Sequence, residues 1–278
     1  QDHFESVKEV SSRVNNSTGI AIYSPENYAE HIPFDEMSPG EPISNRMSRA
    51  EPIGAYQGLG LMGFAVKLVS RIHNSEKVTI LASYLPYTLK TQIDSYLDAG
   101  GILVVDAIAA RSLKTTDCQG LIKYKIGNQI SELRMEKTIF NGQVVDELAG
   151  FPPTSVYRLE IDKDNRDPIE SVSELYDVHG RRVGVGALLY PVRNGWIIVL
   201  AYDLSDVGYL FSSKSYREFI THIFEKIGYK PEVQLSKDLF VQPLLFTYPS
   251  KRIILINYNA YPSEVGCKGD WIETGTLI

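Results

Sequence analysis

The segment Val78–Arg111 reads VTILASYLPYTLKTQIDSYLDAGGILVVDAIAAR and decides the fold. Its two apolar runs, Val78–Ala82 and Ile102–Asp106, are short and rich in β-branched residues, which is typical of parallel strands buried on both faces. Four apolar residues between positions 89 and 97 recur at helical spacing, and Gly100-Gly101 ends that helix. Because parallel neighbours need a crossover connection, the segment predicts a right-handed βαβ unit.

The first third of the chain repeats this alternation. Ile20–Tyr23 predicts a first strand, and Ala55–His73, with an apolar stripe at heptad-like spacing, predicts a helix before the strand at Val78. The order β, α, β, α, β indicates a flavodoxin-like, doubly wound α/β fold with a mostly parallel sheet. Further helices are predicted at residues 3–14 and at Ser215–Ile227.

In residues 112–195, short apolar runs alternate with turn residues, and this pattern predicts an antiparallel insertion. Asn141-Gly142, His179-Gly180 and Asn194-Gly195 stand between apolar runs, and Asn-Gly is a strong hairpin signal. We expect an α/β domain over residues 1–230 that contains this insertion, and a short β segment over 231–278. The predicted strands are Leu121–Ile126, Arg134–Phe140, Ser155–Ile161, Val172–Val178, Arg182–Tyr190, Trp196–Tyr202, Leu239–Phe246 and Arg252–Asn257, with Trp196–Tyr202 returning to the core.

Composition narrows the classes of partner. The formal net charge of the 278 residues is −6 and the Lys and Arg residues are scattered, which argues against a nucleic-acid surface. No apolar run approaches about 18 residues, so no membrane span is expected. The two cysteines make neither a zinc cluster nor a disulfide framework, and we expect Cys118 to be a buried apolar residue or a loop thiol. Gln1 at the start indicates either a removed targeting segment, which would favour export, or a shortened chain.

No cofactor is expected. Gly58–Gly63 has the G-x-G-x-x-G spacing, but it follows no strand and lies inside the predicted helix, whereas dinucleotide binding needs a strand-to-helix turn. Small residues that let a helix approach the sheet closely explain this spacing better. No His-x-x-x-His or His-x-Glu spacing predicts a metal site.

The catalytic candidates are two carboxylates at strand ends. Ligands of open α/β sheets bind at the carboxyl ends of the strands, and here Ile102–Asp106 is followed by Ala107–Ala110, with no nucleophile and no elbow glycine. Asp106 and Asp203 follow strands and form a candidate acid/base pair, with capping of the next turn as the alternative role of Asp203.

The ligand-binding candidates are Tyr23, Tyr84 and His31. Both tyrosines follow or end predicted strands, where aromatic rings suit sugar stacking, a protein interface or the rim of a core. His31 begins the long polar segment His31–Pro52, which contains four prolines and is interpreted as a lid, a binding loop, an interface arm or a plain insertion.

Four stretches carry a resemblance to a known family. They are Gly19–Ser24, Tyr96–Val104, Gly195–Ser205 and Ile253–Asn259. Their order over about residues 1–260 resembles the class I glutamine-amidotransferase-like domain that follows the barrel in β-galactosidases of glycoside hydrolase family 42. The last stretch is similar to the start of the small β-sandwich that closes those enzymes.

The resemblance also has two departures. Active amidotransferases place a Cys after the third strand, where this chain has Ala107–Ala110, and a His-x-Glu pair after a late strand, where it has Asp203–Asp206. The resemblance therefore implies a non-catalytic domain that forms a homo-oligomer and walls a carbohydrate site. The alternatives are an autonomous carbohydrate or ester hydrolase that uses Asp106 and Asp203, and a carbohydrate-binding module.

Overall fold

The computed structural model describes residues 20–25, 52–130, 137–140, 143–146, 156–161, 168–177, 179–204, 214–230, 234–235, 241–246, 252–257 and 267–268. The helix predicted at 3–14, His31 and the 31–51 part of the segment His31–Pro52 lie outside these residues. The helices are α1 (Pro52–Leu61), α2 (Lys90–Asp98), α3 (Ala107–Ser112) and α4 (Lys214–Lys226), with 3-10 turns at Leu113–Thr115 and Gln119–Leu121. No helix of the described part is long and apolar enough to cross a membrane.

Within the described residues, fifteen strands accompany these helices. They are β1 (Ile20–Tyr23), β2 (Val66–Val69), β3 (Val78–Leu81), β4 (Ile102–Val105), β5 (Tyr124–Gln129), β6 (Lys137–Phe140), β7 (Gln143–Asp146), β8 (Tyr157–Ile161), β9 (Glu170–Tyr176), β10 (Arg182–Val192), β11 (Gly195–Leu200), β12 (Gln234–Leu235), β13 (Val241–Phe246), β14 (Arg252–Asn257) and β15 (Cys267–Lys268). Nine of them form one sheet, in the order β2-β1-β3-β4-β11-β10-β9-β6-β7.

One half of this sheet is parallel. Strand β1 pairs with β2 and β3, β3 pairs with β4, and β4 pairs with β11, all in parallel. Every residue of β1, β3 and β4 is buried, as expected for strands covered on two faces. The predicted βαβ unit is confirmed, because α2 connects β3 to β4 and buries Ile93, Tyr96 and Leu97. The same strand pairings confirm two further predictions: the mixed α/β class and the return of β11 to the core.

The helix predicted over Ala55–His73 is confirmed only as far as Leu61, and the rest of the prediction is wrong. Helix α1 ends at Leu61, Gly63 takes a positive φ of 87°, and residues 66–69 form edge strand β2. The Phe64 N–H donates to Leu59 O at 3.1 Å, which is a glycine-dependent helix end of the Schellman kind. The apolar stripe continued across this end because β2 also alternates apolar residues, and β-branched valines then favour the strand.

The other half of the sheet is antiparallel. Strand β10 lies between β11 and β9, and β6 lies between β9 and β7. The hairpins predicted at Asn141-Gly142 and His179-Gly180 are confirmed, although β7 was not among the predicted strands. The hairpin predicted at Asn194-Gly195 is also present, but its turn lies one residue earlier, because Gly195 already pairs with Val192. A separate antiparallel pair, β5 with β8, joins β11 through an N–H of Tyr157 that donates to Ala201 O at 2.8 Å. Strands β13 and β14 form a hairpin, and β12 pairs with β15.

Close backbone contacts fix the amino ends of β4 and β11. The Trp196 N–H donates to Gly101 O at 3.1 Å, and a Cβ added to Gly195 would lie 2.3 Å from that same oxygen. The hairpin before β11 contains Arg193 with a positive φ of 55°, whose guanidinium contacts Asp98 at 2.6 Å and Asp94 at 2.9 Å on α2. The β10–β11 turn is therefore held against the end of α2.

Candidate functional site

The carboxyl ends of β3, β4 and β11 bring the predicted carboxylates to one edge. Val105, the last residue of β4, lies opposite Leu81 of β3 and Val199 of β11. The Asp106 N–H donates to Leu81 O at 3.0 Å, and the Ala107 N–H donates to Tyr202 O at 2.9 Å. These bonds place Asp106 between the two neighbouring strands and close to the residues that follow β11.

Asp106 is the N-cap of α3. Its Oδ1 accepts a hydrogen bond from the Ala109 N–H at 2.9 Å, which satisfies one of the free donors of the first turn. Its Oδ2 accepts from the Leu204 N–H at 3.2 Å, so the same carboxyl group also ties α3 to the segment after β11. The side chain is 0% exposed, and a substrate would reach it only after this edge had opened.

The charge of Asp203 acts on Asp106. Burial raises the pKa of Asp106 well above its usual value, and the charge of Asp203 raises it further, whereas the hydrogen bonds from the α3 backbone and Leu204 oppose the shift. Asp203 itself is 5% exposed. The structure thus brings together the two carboxylates that the sequence singled out, and burial and the charge of Asp203 both shift Asp106 towards its protonated form.

The β5–β8 pair covers α3 from the other side. The Tyr124 hydroxyl donates to Ala110 O at 3.0 Å, and the Arg111 guanidinium lies 4.9 Å from the centre of the Tyr157 ring. The Lys114 ammonium, just after α3, donates to Ile126 O of β5 at 2.6 Å. The short helix at the expected nucleophile position is therefore enclosed by the antiparallel insertion.

The three predicted ligand-binding residues have different outcomes. Tyr23 ends β1 and is buried, and Tyr84 follows β3 and is also buried, so neither ring faces solvent. His31 lies outside the described residues. Ser83, which precedes Tyr84, was not a candidate; its hydroxyl oxygen is buried and has no hydrogen-bond partner within the described residues. The assignment of ligand contacts to Tyr23, Tyr84 and His31 stays a prediction.

The loop after β3 presents an exposed ring beside this edge. Tyr87 is 68% exposed, and its carbonyl oxygen accepts a hydrogen bond from the Asp117 N–H at 3.0 Å. The Asp117 Oδ1 in turn accepts from the Leu89 N–H at 3.0 Å and the Lys90 N–H at 2.9 Å. Asp117 was not found from the sequence because its partners lie 27 and 28 positions away, and no local pattern reports such a contact.

The thiol of Cys118 belongs to the core. Burial raises the pKa of Cys118 to about 12, which disfavours the thiolate that a nucleophile would need. Its burial confirms the apolar interpretation. No group of three His, Cys, Asp or Glu residues within the described ranges could hold a metal ion.

Comparisons with known proteins identify the architecture. No family model and no curated protein matches the chain. Among solved structures it is similar to a cold-adapted β-galactosidase from a Rahnella species, with a TM-score of 0.59, 14% identity, and coverage of 88% of this chain and 36% of that one. A GH42 β-galactosidase from G. stearothermophilus gives a TM-score of 0.53 and 12% identity over 84% of this chain and 33% of that one.

A third similar structure comes from another glycosidase. α-L-Fucosidase isoenzyme 2 from Paenibacillus thiaminolyticus gives a TM-score of 0.53 and 13% identity over 84% of this chain and 36% of that one. The chain therefore spans about a third of the length of each of these enzymes. At such identities the similarity shows a shared fold.

Proposed function

We propose that the chain is a non-catalytic, amidotransferase-like domain of a glycoside-hydrolase-related protein, and that it supports oligomerisation and shapes a carbohydrate site. The shared fold with parts of GH42 β-galactosidases and of a fucosidase supports the relation to glycoside hydrolases. A domain that spans about a third of such enzymes leaves most of their length, and so their chemistry, to other parts of the chain.

The finer description of the fold belongs to the same proposal. The parallel strands stand in the order β2-β1-β3-β4-β11, which matches the 2-1-3-4-5 order of flavodoxin-like sheets. Helices α1 and α2 cross between parallel strands, as they do in doubly wound folds. We take the amidotransferase-like domain to be residues 1–230 and the strands after residue 230 to begin a small β-sandwich.

The observation that carries the non-catalytic assignment is the closed start of α3. Where an elbow would expose a nucleophile, the chain has a helix whose residues Ala107, Ala109 and Ala110 are buried. Asp106 caps this helix with Oδ1 and accepts from the Leu204 N–H with Oδ2. A side chain that already holds two backbone N–H groups in the interior serves the structure of the edge. This arrangement supports a role in shape and assembly.

The test of assembly is the mass in solution. We expect the purified chain to form a homo-oligomer by sedimentation velocity or light scattering. A variant in which residues 31–52 are replaced by a short Gly/Ser linker should have a smaller mass and an unchanged thermal midpoint. A monomeric wild-type chain at micromolar concentration would contradict the assembly role, and an unchanged mass in the linker variant would reject residues 31–52 as the interface.

A second candidate is an autonomous hydrolase of carbohydrates or esters. The proximity of Asp106 and Asp203 favours it, because a carboxyl group whose pKa is raised by burial and by a second carboxylate is suited to general-acid chemistry. This candidate requires the edge to open, since Asp106 is fully buried. The activity of carboxylate variants distinguishes the hydrolase candidate from the non-catalytic one.

A further inference from the structure

We propose that Tyr87 and Asp117 form a sugar-binding platform at the rim of the carboxyl edge, with the aromatic ring as the stacking surface and the carboxylate as the acceptor for sugar hydroxyls. The inference rests on the proposed function, because it names the residues that would bind carbohydrate in a domain related to glycoside hydrolases. It differs from the ligand contacts predicted from the sequence, which involve Tyr23, Tyr84 and His31.

Tyr87 is exposed on a loop whose backbone is held in place. The ring is 68% exposed, the largest exposed fraction among the large hydrophobic residues that the structure describes. The loop beneath it is anchored, since the Leu85 N–H donates to Ser112 Oγ at 2.9 Å and Tyr87 O accepts from the Asp117 N–H at 3.0 Å. A ring on an anchored backbone binds with a smaller loss of loop entropy.

The Asp117 carboxylate has one oxygen, Oδ2, that could accept from a ligand. Its Oδ1 accepts from the Leu89 and Lys90 N–H groups, and Cys118 Sγ contacts the same oxygen at 3.5 Å. Within the described part of the chain, Oδ2 has no such donor, and the side chain is partly exposed. Desolvation raises the pKa of Asp117, but the hydrogen bonds from the Leu89 and Lys90 N–H groups outweigh it, so the pKa is lowered and Oδ2 stays an ionised acceptor at neutral pH.

The chemistry of these two groups matches the two kinds of surface that a pyranose presents. The apolar face of a pyranose packs on an aromatic ring, and its hydroxyl donors bond to a carboxylate oxygen. An anionic ligand is disfavoured by the carboxylate. A quaternary ammonium such as choline would also be attracted to a tyrosine face and a carboxylate, and it therefore serves as the competing probe.

The experiment measures binding of galactotriose with β-1,4 linkages, methyl β-D-galactoside and choline by ligand-observed NMR and calorimetry. Wild-type protein should bind a galactoside with a dissociation constant on the order of 1 mM. Tyr87→Ala should weaken binding about tenfold or more, whereas Tyr87→Phe should stay within about threefold because the stacking face remains. Asp117→Asn should weaken binding about fivefold while its remaining oxygen still accepts from the Leu89 and Lys90 N–H groups.

The matched control is Trp196→Ala. Trp196 is also an exposed aromatic residue, at 43%, but it pairs with Ile102 at the amino end of the sheet. Its removal should leave galactoside binding unchanged. Three results would overturn the platform: no galactoside binding up to about 20 mM, equal binding by Tyr87→Ala and wild type, or binding of choline in place of the sugars.

The outcome is independent of the assembly test. An oligomeric chain that binds no galactoside overturns the platform and leaves the assembly role standing. A monomeric chain whose galactoside affinity depends on Tyr87 and Asp117 overturns the assembly role and supports the platform.

Discussion

The amino ends and the carboxyl ends of the parallel strands, called here the amino edge and the carboxyl edge, are held by different interactions. At the amino edge, two backbone segments are in direct contact. The Trp196 N–H donates to Gly101 O, and the space at Gly195 is too small for a Cβ. At the carboxyl edge, the buried carboxyl group of Asp106 links β4 and the residues after β11, and Ser83 Oγ is buried without a partner in the described chain. The first edge is held by steric fit and the second by polar groups removed from water.

This difference is in keeping with the proposals above, which give the amino edge a structural role and the carboxyl edge a role in ligand binding. The backbone contact between Gly195 and Gly101 tolerates no added atom and contains no group that titrates. Buried carboxyl groups make the carboxyl edge sensitive to protonation, and the adjacent loop presents Tyr87 and Asp117 to solvent. Substitutions at the two edges should therefore change stability for different physical reasons.

The largest effect is expected for Gly195→Ala. The added Cβ would lie 2.3 Å from Gly101 O, a backbone atom that cannot rotate away, so the hairpin must shift. We expect a loss of about 3 kcal/mol in the free energy of unfolding, measured by urea denaturation. Gly120→Ala is the control, because no atom lies within 4 Å of its added Cβ, and its effect should stay within about 0.5 kcal/mol. Equal effects at the two positions would contradict the steric account of the amino edge.

An intermediate effect is expected for Asp106→Ala. The substitution removes the cap of α3 and leaves the buried Leu204 N–H without its acceptor. We expect a loss of about 2 kcal/mol in the free energy of unfolding. Asp106→Asn retains one acceptor oxygen and should lose less. A variant with alanine that is as stable as the wild type would show that this carboxyl group does not hold the edge.

The pH dependence of stability tests the same residue. Because the pKa of Asp106 is raised in the folded state, its stabilising contribution is complete below the unfolded pKa of about 4 and is lost as the pH rises through the folded pKa. The difference in stability between wild type and Asp106→Asn should thus shift in favour of the variant as the pH rises. Asp177 is the opposite case, since the Arg181 N–H lowers its pKa and its contribution is lost as the pH falls. The same sign for both residues would contradict the burial account.

The smallest effect is expected for Arg193→Gly. Glycine relieves the positive φ of 55°, while the exposed ion pairs to Asp94 and Asp98 are lost. These two changes oppose each other, so the free energy of unfolding should change by less than about 1 kcal/mol. Arg193→Ala loses the ion pairs without relief of the backbone and should be less stable than the glycine variant. The reverse order would show that the ion pairs outweigh the backbone strain.

The sequence predicted the parallel strands because their signal is local. Val78–Ala82 and Ile102–Asp106 are continuous apolar runs, and Gly100-Gly101 marks the end of the helix between them, so each element is specified by its own residues. The predicted helix over Ala55–His73 failed for the same reason: α1 and β2 share one apolar stripe, and only the left-handed Gly63 separates them. A periodic pattern does not report the conformation of one glycine.

The candidate site was predicted only in part. Asp106 and Asp203 were singled out from their positions after strands, and the structure places them together. The contact of Asp106 with Leu204 and that of Asp117 with Leu89 join residues 98 and 28 positions apart. Such contacts are set by the packing of the sheet. Whether a carboxyl group is a buried cap or is exposed to solvent likewise depends on the folded chain.

Turnover by the carboxylate variants tests most directly the central proposal that the strand-end carboxylates carry out no hydrolysis. The measurement is the rate at which wild type, Asp106→Asn and Asp203→Asn release chromophore from aryl galactosides and aryl esters, with the fold of each variant checked by circular dichroism. The account predicts no release above the rate in buffer for any of the three proteins. Release by the wild type that a folded Asp203→Asn variant abolishes would contradict it and establish the hydrolase.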